Sequence, residues 1–275
     1  MSDSLDLARV VGALSNAIYA DKIHYLASVT STNTLALEAA QNDAPHGSIW
    51  IADEQTSGRG RSDHTWHSSR GEGLYVSILL RPHMPIKKTL LLSLATGIAA
   101  QSAIAAVTGL APDIRWPNDL LIGEKKCGGI LVETSTAPNQ PTLRYAVIGI
   151  GINLNHTGFP KELQSVATSL YLETGQPLPR EQLLIQLLLA IEAEIDLLEA
   201  ESNNSFSKIN LLDRFAATST WVRGKPVIVE EAGGYTGVTE GLDADGFLRV
   251  RGEDNVMHTV LSGGVRARYG NESGR

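Results

Sequence analysis

Residues 113–154 read DIRWPNDLLIGEKKCGGILVETSTAPNQPTLRYAVIGIGINL. Four strand-like pieces stand in this stretch: Asp113 to Trp116, Leu120 to Ile122, Gly129 to Glu133 and Tyr145 to Leu154. Pro117-Asn118-Asp119 and Gly123-Glu124-Lys125-Lys126 separate the first three with turn chemistry. Just upstream, the uncharged run from Thr89 to Pro112 reads as a long Ala-rich helix near 89–107. Short strands against a long apolar helix give a mixed α+β pattern.

The pattern extends outward in both directions. Upstream, Leu74 to Leu80 is an apolar strand stopped by Arg81-Pro82, and Gly47 to Gln55 alternates with Ile49 and Ile51 on one face. Ser31, Thr32 and Asn33 are N-cap residue types ahead of a helical run, Leu35 to Gln41. Residues 1–22 read as one short helix on Leu5, Val10, Leu14 and Ile18. Downstream, Glu181 to Glu201 is a helix carrying Leu184, Leu188 and Ile191 at helical spacing, and a second is expected over Phe206 to Ala217. From Trp221 the character changes. Val227 to Val229, Phe247 to Val250, Met257 to Leu261 and Val265 to Tyr269 read as short strands divided by Gly233-Gly234, Asp245-Gly246 and Gly263-Gly264. The expected division is a short N-terminal helix (1–22), a large α+β domain (23–220) and a small all-β module (221–275).

Composition narrows the function. At ~150 residues per domain, 275 residues allow about two domains. An apolar fraction of 43% with 19% charged residues excludes a disordered tail or a coiled coil. Net charge −7 argues against a general nucleic-acid binder. The single Cys127 gives the chain no internal disulfide, which fits a reduced, cytoplasmic compartment. Residues 1–20 lack the basic start and apolar core of a signal peptide. The run from Thr89 to Pro112 is long enough to span a bilayer, but its Ala, Ser, Thr, Gly and Gln content reads as a buried core helix, so no membrane is expected.

Chemistry concentrates in Gln55-Thr56-Ser57-Gly58-Arg59-Gly60-Arg61-Ser62-Asp63-His64-Thr65-Trp66. Glycines let a backbone approach a ligand, and arginine binds phosphate as a permanent bidentate cation. Anion binding and a plain solvated loop both remain open on spacing alone. The standard nucleotide fingerprints fail. Gly123 to Gly128 has phosphate-loop spacing, but Gly129-Ile130 replaces Lys-Ser/Thr, and Leu154 stands where Gly149-Ile150-Gly151 would need a third glycine. Lys126 is either turn charge or a cation reaching into a pocket. Asn118 and Asp119 are ordinary turn formers, and Asn153 can simply cap its strand. His64 and His67 lack a carboxylate or cysteine to complete a zinc-like set, so no metal site is assigned. Cys127, with no histidine beside it, reads as a core residue.

Taken in order, Ser31-Thr32-Asn33, Gln55 with Gly58-Arg59-Gly60-Arg61 and Trp66, Arg115-Trp116-Pro117-Asn118-Asp119, Lys126 to Glu133, and Gly149-Ile150-Gly151-Ile152-Asn153 resemble the biotin protein ligase family. The resemblance spans about residues 23–269. It implies a mixed-sheet catalytic domain related to class II aminoacyl-tRNA synthetases, followed by an SH3-like β-barrel domain. It implies activation of biotin with ATP and magnesium to biotinyl-adenylate, then transfer to a lysine of a biotin carboxyl carrier domain. On this resemblance Arg61 and Lys126 are the catalytic candidates and would also contact biotin. Ser31, Thr32, Asn33 and Gln55 would contact the ureido ring, with Trp66, Leu131, Gly149 and Gly151 as the wall. Gly58, Arg59 and Gly60 would close over the ligand, and Arg59, Arg61, Trp66, Asn118, Asp119, Lys126 and Asn153 would hold the nucleotide. Asp119 would either orient the acceptor lysine or help hold magnesium.

An acyl-adenylate must be kept from water, so the loop 58–69 is expected to be mobile without ligand. Ser62-Asp63-His64 depart from the Gly-then-basic continuation of many relatives and place an acid in a phosphate-facing loop. No DNA-binding domain is expected ahead of the catalytic pattern, and a homodimer rests on the resemblance alone. A lipoate or octanoate ligase on the same scaffold is the nearest competing enzyme, and a non-catalytic biotin-binding protein is the competing class.

Overall fold

The strand-forming runs on either side of the long helix pair into one sheet. The computed structural model describes residues 5–62, 64–137, 140–203 and 210–268. Its larger sheet has seven strands in the order β1 (Ile23–Leu26), β2 (Ser48–Ala52), β3 (Gly73–Leu80), β7 (Leu143–Asn153), β6 (Lys125–Thr136), β5 (Asp119–Ile122) and β4 (Asp113–Arg115). β1 runs parallel to β2, and every other pair is antiparallel. All five residues of β2 and all eight of β3 are buried. The alternation read in Gly47 to Gln55 therefore survives as direction, not as exposure, because both faces of the sheet are covered.

One face packs against α3 (Thr89–Thr108), with α5 (Arg180–Asn203) and α6 (Leu211–Thr218) behind it, while the short α4 (Leu170–Thr174) lies between β7 and α5 in the chain. The helix Ile86–Thr108 is long and apolar enough to cross a membrane. Here Leu92, Leu94, Ala99 and Ile104 are buried in one cluster with Val76, Ile148 and Ile150 of the sheet and Leu184 and Leu188 of α5, so it is a core helix. Gly109, at φ +74°, ends it in the left-handed conformation that favours glycine. The other face carries α2 (Thr32–Gln41), whose Ala36 and Ala40 sit on Trp50, Leu79, Tyr145 and Val147.

Several boundaries differ from expectation. The N-terminal helix is only α1 (Leu7–Ala13). The chain turns after Leu14, which buries Tyr19 and lets its hydroxyl donate to the Leu188 carbonyl at 3.1 Å. β6 is twelve residues long, and Ile122 pairs with Lys125 across Gly123-Glu124. Lys126 is therefore a strand residue, because a two-residue hairpin suffices to reverse the chain. Of the expected helix from Phe206, α6 accounts for the part after Leu211, and residues 206–209 lie outside the described residues.

A second, five-stranded antiparallel sheet follows, in the order β11 (Met257–Val260), β10 (Leu248–Gly252), β9 (Tyr235–Leu242), β8 (Arg223–Val229) and β12 (Val265–Ala267). Tyr269, in the last expected strand, lies outside the described residues. Two strands are hidden in the sequence: β1, only four residues long, and β9, diluted by Gly237, Glu240 and Gly241. Gly237 is required there, since a Cβ would overlap the Arg251 carbonyl of β10. The two sheets share one apolar cluster, which joins Trp221, Val227 and Leu248 to Leu91 and Leu94 of α3. Across the same boundary, Trp116 Nε1 donates to the Gly246 carbonyl at 2.9 Å.

Candidate active site

Register puts the site on the α2 face of the sheet. Gly149 of β7 pairs with Ser77 of β3 and Leu131 of β6, and Gly151 pairs with Gly129. These positions form a strip with few side chains beyond the N-terminus of α2, where Ser31, Thr32 and Asn33 begin the helix and are buried. A Cβ on Gly149 would overlap the Asn33 amide, and one on Gly151 would overlap the Trp66 indole. The room left by these glycines is thus taken by Asn33 and Trp66 themselves.

Hydrogen bonds fix the polar set. Gln55 Oε1 accepts from Thr32 N at 2.9 Å and from Thr32 Oγ1 at 3.1 Å, while its Nε2 donates to Ser68 Oγ at 3.0 Å. Asn33 Oδ1 accepts from Ser77 Oγ at 2.5 Å, and Asn33 Nδ2 donates to Glu133 Oε2 at 2.9 Å. Ser77 and Glu133 were not among the expected site residues. Both carry a readable signal: Ser77 is a lone hydroxyl in an apolar strand, and Glu133 follows Gly129 and Leu131 at period two, so it shares their face.

The Gly/Arg loop folds back as a small hairpin. Arg59 bridges Thr65, Trp66 N donates to the Gly58 carbonyl at 2.8 Å, and Gly60 N donates to the His64 carbonyl at 2.6 Å. Asp63 lies outside the described residues, while His64 Nδ1 lies 2.8 Å from the Arg61 carbonyl. Arg59 forms a two-pronged pair with Glu133, at 3.1 and 2.7 Å. Arg61 donates to Asn118 Oδ1 at 3.0 Å and to the Ser262 carbonyl of the C-terminal module. Burial lowers the Arg61 pKa, and Asp119 and Glu231 oppose that shift. The guanidinium stays charged.

Lys126 projects from β6 to within 5.3 Å of the Trp66 ring centre, and its Nζ is 2.5 Å from Asp119 Oδ1. Asp119 Oδ2 is held by Arg115, at 2.6 and 3.1 Å. Burial alone would raise the Asp119 pKa, but the two cations beside it hold it below the usual carboxylate range. Trp66 Nε1 is buried with no hydrogen-bond partner among the described residues. Asn153 ties the end of β7 to the Thr168 carbonyl at 3.0 Å and to the Lys126 carbonyl at 3.4 Å. Cys127 is fully buried, and burial pushes its thiol up to about 12, as suits a core residue rather than a nucleophile.

The expected residues gather closely. A slot is lined by Ser31, Thr32, Asn33 and Gln55, by Arg59, Gly60, Arg61 and Trp66 of the loop, and by Asn118, Lys126, Leu131, Gly149 and Gly151. Asp119 and Asn153 line an adjoining cleft that opens toward the C-terminal module. Gly58 faces a third cavity on the outer side of the loop. The slot combines an apolar floor, a polar end and cations at its mouth, which suits an organic acid whose carboxylate meets another anion.

Residues 25–153 match the Biotin/lipoate A/B protein ligase family, and residues 223–266 match the Biotin protein ligase C terminal domain. The chain is 34% identical over 247 residues to the bifunctional ligase/repressor BirA of Bacillus subtilis (strain 168), covering 88% of this chain and 73% of that protein. It is 30% identical over 237 residues to the biotin–[acetyl-CoA-carboxylase] ligase of Paracoccus denitrificans, covering 82% of this chain and 93% of that one. Among solved structures it resembles the Aquifex aeolicus biotin protein ligase in complex with biotin and ATP, with TM-score 0.74 and 29% identity over 91% of this chain and 100% of that chain.

Proposed function

This chain belongs to the biotin protein ligase family, and from that membership we propose that its slot runs the two half-reactions of a biotin–[biotin carboxyl carrier protein] ligase. In the first, a biotin carboxylate oxygen bonds to the α-phosphorus of ATP as the bond to pyrophosphate breaks. In the second, a carrier lysine amine attacks the acyl carbon of biotinyl-adenylate, loses its proton and expels AMP. The observation that carries this reading is the single slot joining the Ser31–Asn33 and Gln55 polar set to Arg61 and Lys126.

The polar set is the end for the ureido ring, and Leu131, Trp66 and the two glycines wall the rest. Arg61 and Lys126 bring fixed positive charge to two anions that must meet, which stabilises the charge shifting toward pyrophosphate in the transition state. Arg59 and the loop backbone close over the adenylate. Magnesium would arrive with the triphosphate and supply charge neutralisation there, held mainly by phosphate and water oxygens. Among the described residues no three His, Cys, Asp or Glu side chains gather as a cage, and both Asp119 oxygens are already paired. No protein ligand is therefore assigned to the metal. Asp119 instead holds the Lys126 ammonium at the slot.

The acceptor would be a carrier domain of a biotin-dependent carboxylase. A cytoplasmic site of action, no DNA binding, a homodimer and the division at residues 23–220 and 221–275 complete the proposal. The test is biotin-dependent ATP–pyrophosphate exchange, with lipoate and octanoate in parallel. Exchange with biotin alone supports it. Exchange only with lipoate or octanoate keeps the scaffold and replaces the substrate, and biotin binding without any exchange replaces the enzyme with a binding protein.

A further inference from the structure

The slot is built from the larger sheet and its loops, yet one nitrogen of Arg61 reaches across to the C-terminal module. Its partner is the Ser262 carbonyl in the loop between β11 and β12. That loop is shaped by one carboxylate, Glu231, from the turn between β8 and β9. Glu231 Oε2 accepts from Leu261 N at 2.9 Å, and Oε1 accepts from Ser262 N and from Ser262 Oγ at 2.6 Å. Two successive amides and a hydroxyl converging on one anion define the loop's path. The Ser262 carbonyl is then left to face the guanidinium.

Gly263 continues the cradle. At φ +97°, its absent Cβ would stand 3.0 Å from Arg61 Nη1 and 3.5 Å from Pro117 Cδ, so the guanidinium lies against bare backbone. On the opposite side Asn118 Oδ1 takes the other Arg61 nitrogen, and Asn118 is itself fixed by donating to the Ile130 carbonyl at 2.8 Å. Arg61 is thus clamped between an asparagine of the larger sheet and a loop whose shape depends on Glu231.

We propose that Glu231 is a positioning residue for adenylation: by folding residues 261–263 it holds the Arg61 guanidinium at the mouth of the slot. This rests on the role given to Arg61 above. Glu231 reaches that cation through the loop backbone, so its loss should slow chemistry and leave the biotin end of the slot intact. Misplacing a catalytic group by about 1 Å can cost about a hundredfold in rate.

The test compares wild type with Glu231→Ala, Glu231→Gln and Gly263→Ala in pyrophosphate exchange, biotin calorimetry, thermal melting and limited tryptic cleavage after Arg61. The expected result is a fall in kcat of about tenfold or more for Glu231→Ala and Gly263→Ala, with biotin affinity within about twofold of wild type. Glu231→Gln, which keeps one acceptor oxygen, should lie between them and wild type. Cleavage after Arg61 should be faster in Glu231→Ala than in wild type. Unchanged kcat and equal cleavage in both Glu231→Ala and Gly263→Ala would overturn the proposal. So would a loss in which biotin affinity falls as far as kcat. If wild type shows no exchange with biotin, the ligase reading fails, and the cleavage comparison alone decides whether Glu231 positions Arg61.

Discussion

Lys126 illustrates how one side chain acquires a role from its neighbours. Its ammonium lies 2.5 Å from Asp119 and over the face of Trp66, which holds a flexible four-carbon stem in one direction. Lys126→Ala should lower the rate of biotin-dependent exchange about a hundredfold, corresponding to ~3 kcal/mol of barrier, while biotin still binds. Steady-state exchange with calorimetric biotin binding checks this, and a variant at wild-type rate would remove Lys126 from the chemistry. Asp119 adds a pH signature. Its folded pKa is held low by Lys126 and Arg115, so its contribution to stability is present above the usual carboxylate range and is lost as pH falls through the folded pKa. Asp119→Asn should therefore be less stable than wild type at neutral pH, by about 3 kcal/mol for an ion pair broken on one side. The gap should narrow as pH falls below the usual carboxylate range, and denaturant melts from pH 7 down to pH 2 would show it. A pH-independent gap would mean that the charge on Asp119 contributes nothing.

At the scale of elements, the decisive feature is the bare strip on β7. Gly149→Ala places a methyl on the Asn33 amide, which is held by Ser77 and Glu133. The displaced network should raise the biotin KM about tenfold, the worth of a lost buried hydrogen bond. Exchange at saturating biotin should fall much less, and the reverse pattern would detach Gly149 from the biotin end. The loop 58–69 makes a second prediction, because its hold on Glu133 and Ser262 must give way for a ligand to enter. Protease cutting there should slow when biotin and ATP are added together, and equal rates would argue against closure. How much of this was legible varied by element. β7 and α3 were readable because long apolar runs need no context, and α3 was found by length rather than period since it is buried nearly all round. β9 was hidden because its glycines answer to a neighbouring strand, and the sequence does not show which backbone will approach. The set Ser31, Thr32, Asn33 and Gln55 was legible from resemblance. Glu133 stood in the quoted motif on the face of Gly129 and Leu131, but its pairing with Asn33 and Arg59 needs the folded chain to be seen.

At the scale of the whole molecule, the two sheets share one core. Trp221, Val222 and Val227 start the C-terminal module inside the cluster that contains α3, and Trp116 donates across the boundary to Gly246. A Cβ on Gly246 would come within 3.0 Å of both Leu91 and Leu94, so the turn before β10 seats directly on that helix. Separating the modules would expose these apolar surfaces to water, at roughly 25 cal/mol for each Å² uncovered. It would also strip the indole nitrogen of its acceptor. A module held only by a linker and a polar contact would melt on its own. Here the shared cluster should couple the two, and calorimetry should record one cooperative transition with calorimetric and van't Hoff enthalpies in agreement. Two resolved transitions would show that the C-terminal module folds independently. Trp116→Phe tests the coupling from the other side. It removes the bond to Gly246 while keeping most of the ring, so it should lower stability by about 1 kcal/mol and leave the transition single. A transition split by that change would mean that one hydrogen bond, rather than the buried cluster, joins the two halves of the molecule.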